Sequence, residues 1–270
     1  MKVLPMARML IDLTQPLDSN IAVYPGDPLF SSQQSCTVPR DGYSLHVLSC
    51  SSHVGTHIDA PSHFFANGAT IDQFPLSAFM RPALVIDVSD KRARECITWD
   101  AVELVVDRIR PGTAVLFLTS WSRYYHHHHH HDADDNDEEA NVSYLDHPWL
   151  APDVAQRLVA LGVRLIGTDA MSVDQSPVVI GGGSGGGTAS TTDDTEGGSY
   201  FGVHRAVLGA GGLIVENLTN LDELLAAQGA AGPDEEVVVS LLPLKIAGCD
   251  GSPVRAVAWL QPQGLFSEKR

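Results

Sequence analysis

The chain has few of the residues that mark several large classes of protein. Only four of its 270 residues are cysteines and no two form a CxxC pair, which argues against a disulfide framework or a thiolate metal site. Basic residues are scarce, since 17 stand against 33 acidic ones and leave a formal net charge of −16. Such a surface repels nucleic acid and anionic membranes. No apolar run approaches the roughly 18–20 residues that span a bilayer, and the N-terminus has no signal-peptide pattern. We therefore expect a soluble, cytoplasmic protein.

Two low-complexity segments interrupt the chain, at about residues 126–140 and 181–199. The first contains six consecutive histidines followed by an acidic stretch, and the second is rich in glycine. Neither has the apolar periodicity needed for packing, so both are predicted to be surface inserts in a single domain that spans residues 1–270. A G-x-G-x-x-G spacing in the second lacks the lysine and the helix of a phosphate-binding loop. That insert is either an inert loop or a lid over a nearby site.

The rest of the sequence mixes strand and helix patterns around a hydrophobic fraction of 44%, which predicts an α/β fold. Asp87 and Asp169 each end a hydrophobic run, a position that holds either a turn former or a functional group. Strands are predicted at residues 9–13, 44–49, 83–88, 114–118, 164–168, 213–215, 237–242 and 254–260. Helices are predicted at residues 98–108, 151–161 and 220–227.

One eleven-residue window, His53-Val-Gly-Thr-His57-Ile-Asp59-Ala-Pro-Ser-His63, contains four groups that bind metals or move protons. Its glycine, proline and β-branched residues disfavour a helix. In an extended chain, His53, His57 and Asp59 project from one side of the strand. Two imidazoles and a carboxylate suit Zn²⁺ or Mn²⁺ and leave a position open for water. Unrelated surface or core histidines are the alternative, which is disfavoured because burying several imidazoles without a cation is costly.

This window resembles the H-x-G-T-H-x-D-x-P-x-H signature of the metal-dependent cyclase family, the family of bacterial-type kynurenine formamidases and isatin hydrolases. The resemblance extends to the segments at residues 11–17, 23–28, 83–88, 112–121, 167–174, 201–205 and 211–218. It implies a swivelling β/β/α domain with a mixed sheet, and a homodimer. It also implies two metal ions, one held by His53, His57 and Asp59 and the other by Asp59, His204 and Glu216.

The activity implied by this resemblance is hydrolysis of an amide bond, with N-formylkynurenine converted to kynurenine and formate. Amides are poor electrophiles, and a divalent ion that lowers the pKa of water to about 7 supplies a strong nucleophile. The departing amine needs a proton, and His63, which lies outside the implied ligand set, is predicted to deliver it.

Two alternatives stay open at this point. Hydrolysis of a related cyclic amide or lactone, such as isatin, would use the same ligands and differ only in the pocket. A non-catalytic metal-binding protein would instead use the histidine run at residues 126–131 and the acidic residues after it. The enzyme interpretation differs from it in predicting about two tightly held ions that are lost when His57 or Asp59 is changed.

Overall fold

The computed structural model describes residues 10–126, 142–177 and 201–264. Nearly all of the histidine-rich insert and the whole glycine-rich insert lie outside these residues, so the predictions made for them stay predictions. Within the described part, no helix is long and apolar enough to cross a membrane.

The described residues form thirteen strands and five α-helices. The strands are β1 (Ile11–Asp12), β2 (Ser31–Cys36), β3 (Leu45–Ser49), β4 (His57–Asp59), β5 (Met80–Asp87), β6 (Cys96–Ile97), β7 (Ala114–Leu118), β8 (Trp149–Leu150), β9 (Leu165–Thr168), β10 (Leu213–Glu216), β11 (Glu235–Ser240), β12 (Gly251–Pro253) and β13 (Val257–Pro262). The helices are α1 (Val38–Asp41), α2 (Asp100–Glu103), α3 (Pro152–Ala160), α4 (Gly202–Gly209) and α5 (Leu221–Ala230).

Nine strands form one mixed sheet in the order β1-β13-β11-β5-β7-β9-β10-β4-β12. Strands β5, β7, β9 and β10 run parallel in the middle, and antiparallel strands extend the sheet on both sides. Parallel strands need helical crossovers, which cover them on both faces. Strand β7 fits this position because all five of its residues, Ala-Val-Leu-Phe-Leu, are buried. The predicted α/β class with a mixed sheet is confirmed.

The sheet has a hydrophobic core on each face. Alternate residues of β10 divide between the two cores: Leu213 and Val215 pack on one side, while Ile214 packs on the other. Helix α5 contributes Leu221 and Leu224 to the first core, and α3 and α4 cover the second. The next residue in the alternation, Glu216, therefore points to the side that α4 covers.

The eight predicted strands are all present, β7 with the predicted ends and the others with shifted ends, and the helices at 151–161 and 220–227 are present as α3 and α5. The continuous helix predicted at 98–108 is wrong. It divides into α2 and a 3₁₀ turn, Val106–Arg108, because Val105 leaves the helical region with φ −128° and ψ 8°. Consecutive β-branched valines favour such a break. Helix α4 and strand β2 lie outside all of the predicted elements.

Candidate metal centre

Two neighbouring strands present the predicted ligands to one side of the sheet. In the antiparallel pair β4–β10, His57 lies opposite Glu216 and Asp59 lies opposite Ile214. Opposite residues share a face, and so do residues two apart in one strand. His57, Asp59 and Glu216 therefore all face α4, and this helix carries the buried His204.

The carboxylates and imidazoles of this cluster face each other at short range. His57 Nε2 lies 3.3 Å from Asp59 Oδ1 and 3.5 Å from Glu216 Oε2. On the other side, His204 Nε2 lies 3.4 Å from Asp59 Oδ2 and 3.5 Å from Glu216 Oε1. Each carboxylate thus turns one oxygen to His57 and the other to His204. All four side chains are at most 6% exposed, so water does not screen them.

His53 reaches the cluster from a turn and not from an extended strand. The strand β4 begins only at His57, and Gly55 in the preceding turn has φ +61°, where a Cβ would lie 2.3 Å from Leu17 Cδ2. A glycine is required there. The turn brings His53 Nδ1 to 2.7 Å from Asp59 Oδ1. A second glycine, Gly251, gives the ring room, because a Cβ on it would lie 2.9 Å from His53 Cε1.

The hydrogen bonds of the two buried histidines suit a bound cation. Nδ1 of His57 donates to the Gly55 carbonyl at 2.8 Å, and Nδ1 of His204 donates to Asp174 at 2.7 Å. In a neutral ring held this way, Nε2 carries a lone pair, and both of these nitrogens face carboxylate oxygens. Asp59 Oδ2 is moreover buried, and none of the described residues donates a hydrogen bond to it. Two ring lone pairs and a buried carboxylate oxygen that has no donor fit a divalent cation between them.

The pKa values show the same demand for positive charge. Burial lowers the pKa of His204, but the hydrogen bond to Asp174 and the nearby carboxylates of Asp59 and Glu216 raise it to about 10. Burial likewise opposes protonation of His53, and the carboxylates of Asp59 and Asp250 raise its pKa to about 11. The pKa of Asp59 lies well below its ordinary value, because the imidazoles outweigh its burial. Protons or metal ions can satisfy these carboxylates, and they compete for the same place.

Asp174 holds the imidazole ring of His204 through Nδ1, the nitrogen that does not face the cluster. Its carboxylate also accepts the backbone N–H groups of Val203 and His204, each at 2.9 Å, at the start of α4. One side chain therefore caps the helix and fixes the ring of His204. Carboxylates in this position set the tautomer of metal-binding histidines.

His63 lies at the edge of the cluster. It ends the 3₁₀ turn Pro61–His63, and its side chain is 30% exposed. One of its ring nitrogens is within 4.8 Å of a ligand atom of Asp59 and of His204. Its Nδ1 lies 3.2 Å from Asp250 Oδ2. His63 is thus close enough to exchange protons with a molecule bound at the cluster.

The structure brings together all six residues predicted for the site: His53, His57, Asp59, His63, His204 and Glu216. The sequence reasoning missed Asp174 and Asp250. Asp174 had a weak signal, because it ends one of the segments that carry the family resemblance. Asp250 stands alone in a loop near the C-terminus, where no spacing connects it to the histidines.

The two acids that end hydrophobic runs have other roles. Asp87 is exposed and accepts hydrogen bonds from the backbone N–H and the hydroxyl of Ser89, as a turn former does. Asp169 is buried and accepts two hydrogen bonds from Thr119, and burial raises its pKa to about 6.

Comparison with known proteins agrees with this architecture. The model of the Cyclase family matches residues 11–175. Kynurenine formamidase of Paracidovorax citrulli is 31% identical over 251 residues, covering 93% of this chain and 96% of that protein. Kynurenine formamidase of Bacillus cereus is 33% identical over 254 residues, covering 92% and 95%. Among solved structures, isatin hydrolase A of Labrenzia aggregata superposes with a TM-score of 0.68 at 25% identity, over 93% of each chain.

Proposed function

Because the chain belongs to the Cyclase family, we propose that it is a metal-dependent hydrolase that converts N-formylkynurenine to kynurenine and formate. The observation that carries this proposal is the buried cluster of His57, Asp59, His204 and Glu216, in which Asp59 Oδ2 has no hydrogen-bond donor among the described residues. Relatives that are 31–33% identical over more than nine-tenths of the chain are kynurenine formamidases. The whole chain, residues 1–270, would act as one domain that carries two inserts.

The ligand set that we propose holds two divalent ions, Zn²⁺ or Mn²⁺. His53, His57 and Asp59 would hold one ion, and Asp59, His204 and Glu216 the other. The division of the Asp59 carboxylate supports this arrangement, since Oδ1 faces His53 and His57 while Oδ2 faces His204. A bridging carboxylate needs this orientation. Both metals accept nitrogen and carboxylate ligands.

The bound ions would lower the pKa of water and polarise the formyl carbonyl group. In the overall reaction, the water oxygen forms a bond to the formyl carbon, the carbon–nitrogen bond breaks, and the aryl nitrogen takes a proton. His63 is placed to deliver that proton from the edge of the cluster. The buried walls of the cluster keep bulk water away from the ligands, which strengthens every electrostatic interaction there.

Hydrolysis of a cyclic amide such as isatin is the second candidate, and the likeness to isatin hydrolase A favours it. The ligand set would be the same, and the shape of the substrate pocket would decide between the two substrates. The non-catalytic metal-binding interpretation is disfavoured, because the matched relatives are enzymes over nearly their full length.

We also propose a cytoplasmic homodimer. All four cysteines are free thiols, as in a reducing compartment. The hairpin formed by β2 and β3 exposes Leu45, Val47 and Leu48, which are 49–64% exposed. A two-stranded hairpin is marginally stable alone, and exposed apolar surface of this kind favours a second copy of the chain as its cover. Sedimentation of wild type and of a Val47→Asp, Leu48→Asp double variant tests this, because a dimer through the hairpin would become monomeric.

The function is tested by metal analysis together with a substrate screen. The protein should be purified without a nickel column, with residues 126–131 replaced by serine so that the histidine run binds no metal. We expect about two ions per chain and hydrolysis of N-formylkynurenine. The His57→Asn variant should lose the bound metal and the activity together. Isatin hydrolysis without formamidase activity would select the second candidate. Metal-loaded protein that hydrolyses neither substrate would contradict the proposal.

A further inference from the structure

We propose that Asp250 is a positioning residue that fixes the rings of His53 and His63 together, so that one carboxylate sets the tautomer of a metal ligand and of the proton donor. This inference rests on the proposed function in one respect, the role of His63 in proton transfer. It adds a residue from a distant loop to the site.

The contacts of Asp250 account for both of its oxygens. Oδ2 lies 3.0 Å from His53 Nε2 and 3.2 Å from His63 Nδ1, and Oδ1 accepts a hydrogen bond from Ser52 Oγ at 2.8 Å. The two rings lie side by side, with centroids 3.9 Å apart and planes inclined by 32°. An ionised carboxylate has no hydrogen to donate, so both ring nitrogens that face it must be N–H donors.

The backbone holds Asp250 against the strand that carries the ligands. Its carbonyl group accepts the N–H of Ala60 at 2.8 Å, and the Cys249 carbonyl accepts the N–H of Ile71 at 2.8 Å. The next residue, Gly251, pairs with Asp59 between β12 and β4. The carboxylate therefore keeps a fixed position relative to Asp59, although its side chain is 37% exposed.

This geometry assigns opposite tautomers to the two rings. His53 donates from Nε2 to Asp250. Its Nδ1 lies 2.7 Å from Asp59 Oδ1, so a cation held there would take the Nδ1 lone pair in place of a proton between the two atoms. His63 donates from Nδ1, which leaves Nε2 as the nitrogen that takes up and releases a proton. Without the carboxylate, each neutral ring is free to carry its proton on either nitrogen.

The direct test measures tautomers and does not depend on activity. Long-range ¹H–¹⁵N spectra of zinc-loaded protein at pH 8, with residues 126–131 changed to serine and His63 assigned through His63→Gln, report which nitrogen carries the proton. We expect a protonated Nδ1 in wild type and a mixture of tautomers in Asp250→Ala. Ser52→Ala is the matched control, because it removes a partner of Oδ1 and leaves both histidine contacts; it should keep the wild-type tautomer. An unchanged His63 signal in Asp250→Ala would overturn the inference.

The second test uses formanilides that differ in their leaving group. Loss of a proton donor slows substrates with poor leaving groups most, so Asp250→Ala should lower kcat about 10–100-fold for formanilide and much less for 4-nitroformanilide. The loss should not add to that of His63→Ala in the double variant. Equal losses on both substrates, or additive losses, would show that Asp250 acts only on general structure. Zinc content, measured alongside, separates displacement of His63 from loss of the ion at His53. Wild-type protein that binds zinc and cleaves neither N-formylkynurenine nor a formanilide would refute the proposed function, whereas the tautomer measurement would still decide the role of Asp250.

Discussion

Replacement of Asp174 by asparagine should have two separate effects: it should weaken metal binding, and it should destabilise α4. The carboxylate accepts three hydrogen bonds, from the backbone of Val203, the backbone of His204 and the ring Nδ1 of His204. An asparagine keeps one acceptor oxygen, so its NH₂ group must face a donor. If this donor is the ring of His204, the ring changes tautomer and turns an N–H towards Asp59. Loss of such a supporting partner typically costs 10–100-fold in metal affinity, which is about 1.4–2.7 kcal/mol. The weakened helix cap should cost about 0.5–2 kcal/mol in the metal-free protein.

The two effects are measured on the same variant. Zinc affinity comes from competition with a fluorescent chelator, with residues 126–131 changed to serine in every sample, and stability comes from urea unfolding of metal-free protein. Asp153→Asn is the matched control, because Asp153 also lies in the first turn of a helix but is 53% exposed and forms an ion pair with Arg157 at 3.5 Å. It should change either quantity by less than about 0.5 kcal/mol. If Asp174→Asn binds zinc as tightly as wild type, Asp174 does not orient a ligand.

Three further predictions concern pH, packing and metal removal. Burial lowers the pKa of His147 to about 4, whereas in the unfolded chain its pKa is about 6.5. Between these values the unfolded chain binds the proton and the folded one does not, so the free energy of unfolding should rise with pH, by up to about 3 kcal/mol. In urea unfolding, the free energy of unfolding of His147→Gln should rise less with pH than that of wild type. Asp169 lowers this free energy as the pH rises, but it does so equally in both proteins. Equal slopes in the two proteins would show that His147 is not the group that titrates. A Cβ on Gly167 would lie 2.5 Å from Val215 Cγ1, so Gly167→Ala should lower Tm through a loss of about 1–3 kcal/mol, while Gly229→Ala, with open space around it, should not lower Tm. Zinc at a thousand times the wild-type Kd should stabilise the chelator-treated protein by about 4 kcal/mol, and a similar gain in His57→Asn at the same zinc concentration would exclude His57 as a ligand.

The strands of the sheet could be predicted because burial on both faces leaves a pattern in the sequence itself. Strand β7 is apolar throughout, as a strand that is buried on both faces requires. Helix α4 could not be predicted in the same way. Phe201 precedes it and contributes no side-chain cap, so the usual start signal is missing. The cap comes from Asp174, which is 28 or more residues earlier in the chain, and only the folded structure joins the two.

The residues of the site also fall into two groups, those that a local pattern predicts and those that it does not. His57 and Asp59 could be predicted as neighbours on one face because a strand of any length places alternate residues together. The same argument placed His53 there for the wrong reason, since His53 arrives through a turn that depends on Gly55 at φ +61°. His204 and Glu216 followed from family resemblance and not from spacing, because the pairing of β10 with β4 joins residues that are 155–159 positions apart.

Asp250 shows why a local motif underestimates such a site. Each imidazole in the window from His53 to His63 has two nitrogens, and the motif fixes the approximate place of the ring without fixing which nitrogen carries the proton. That choice is made by acceptors: the Gly55 carbonyl for His57, Asp174 for His204, and Asp250 for both His53 and His63. Only the first of these acceptors lies inside the window. A chain that kept every residue of the motif and lost Asp174 and Asp250 would still place its imidazoles near Asp59, but their lone pairs would no longer be directed to a common point, and we expect it to bind metal weakly and to turn over slowly.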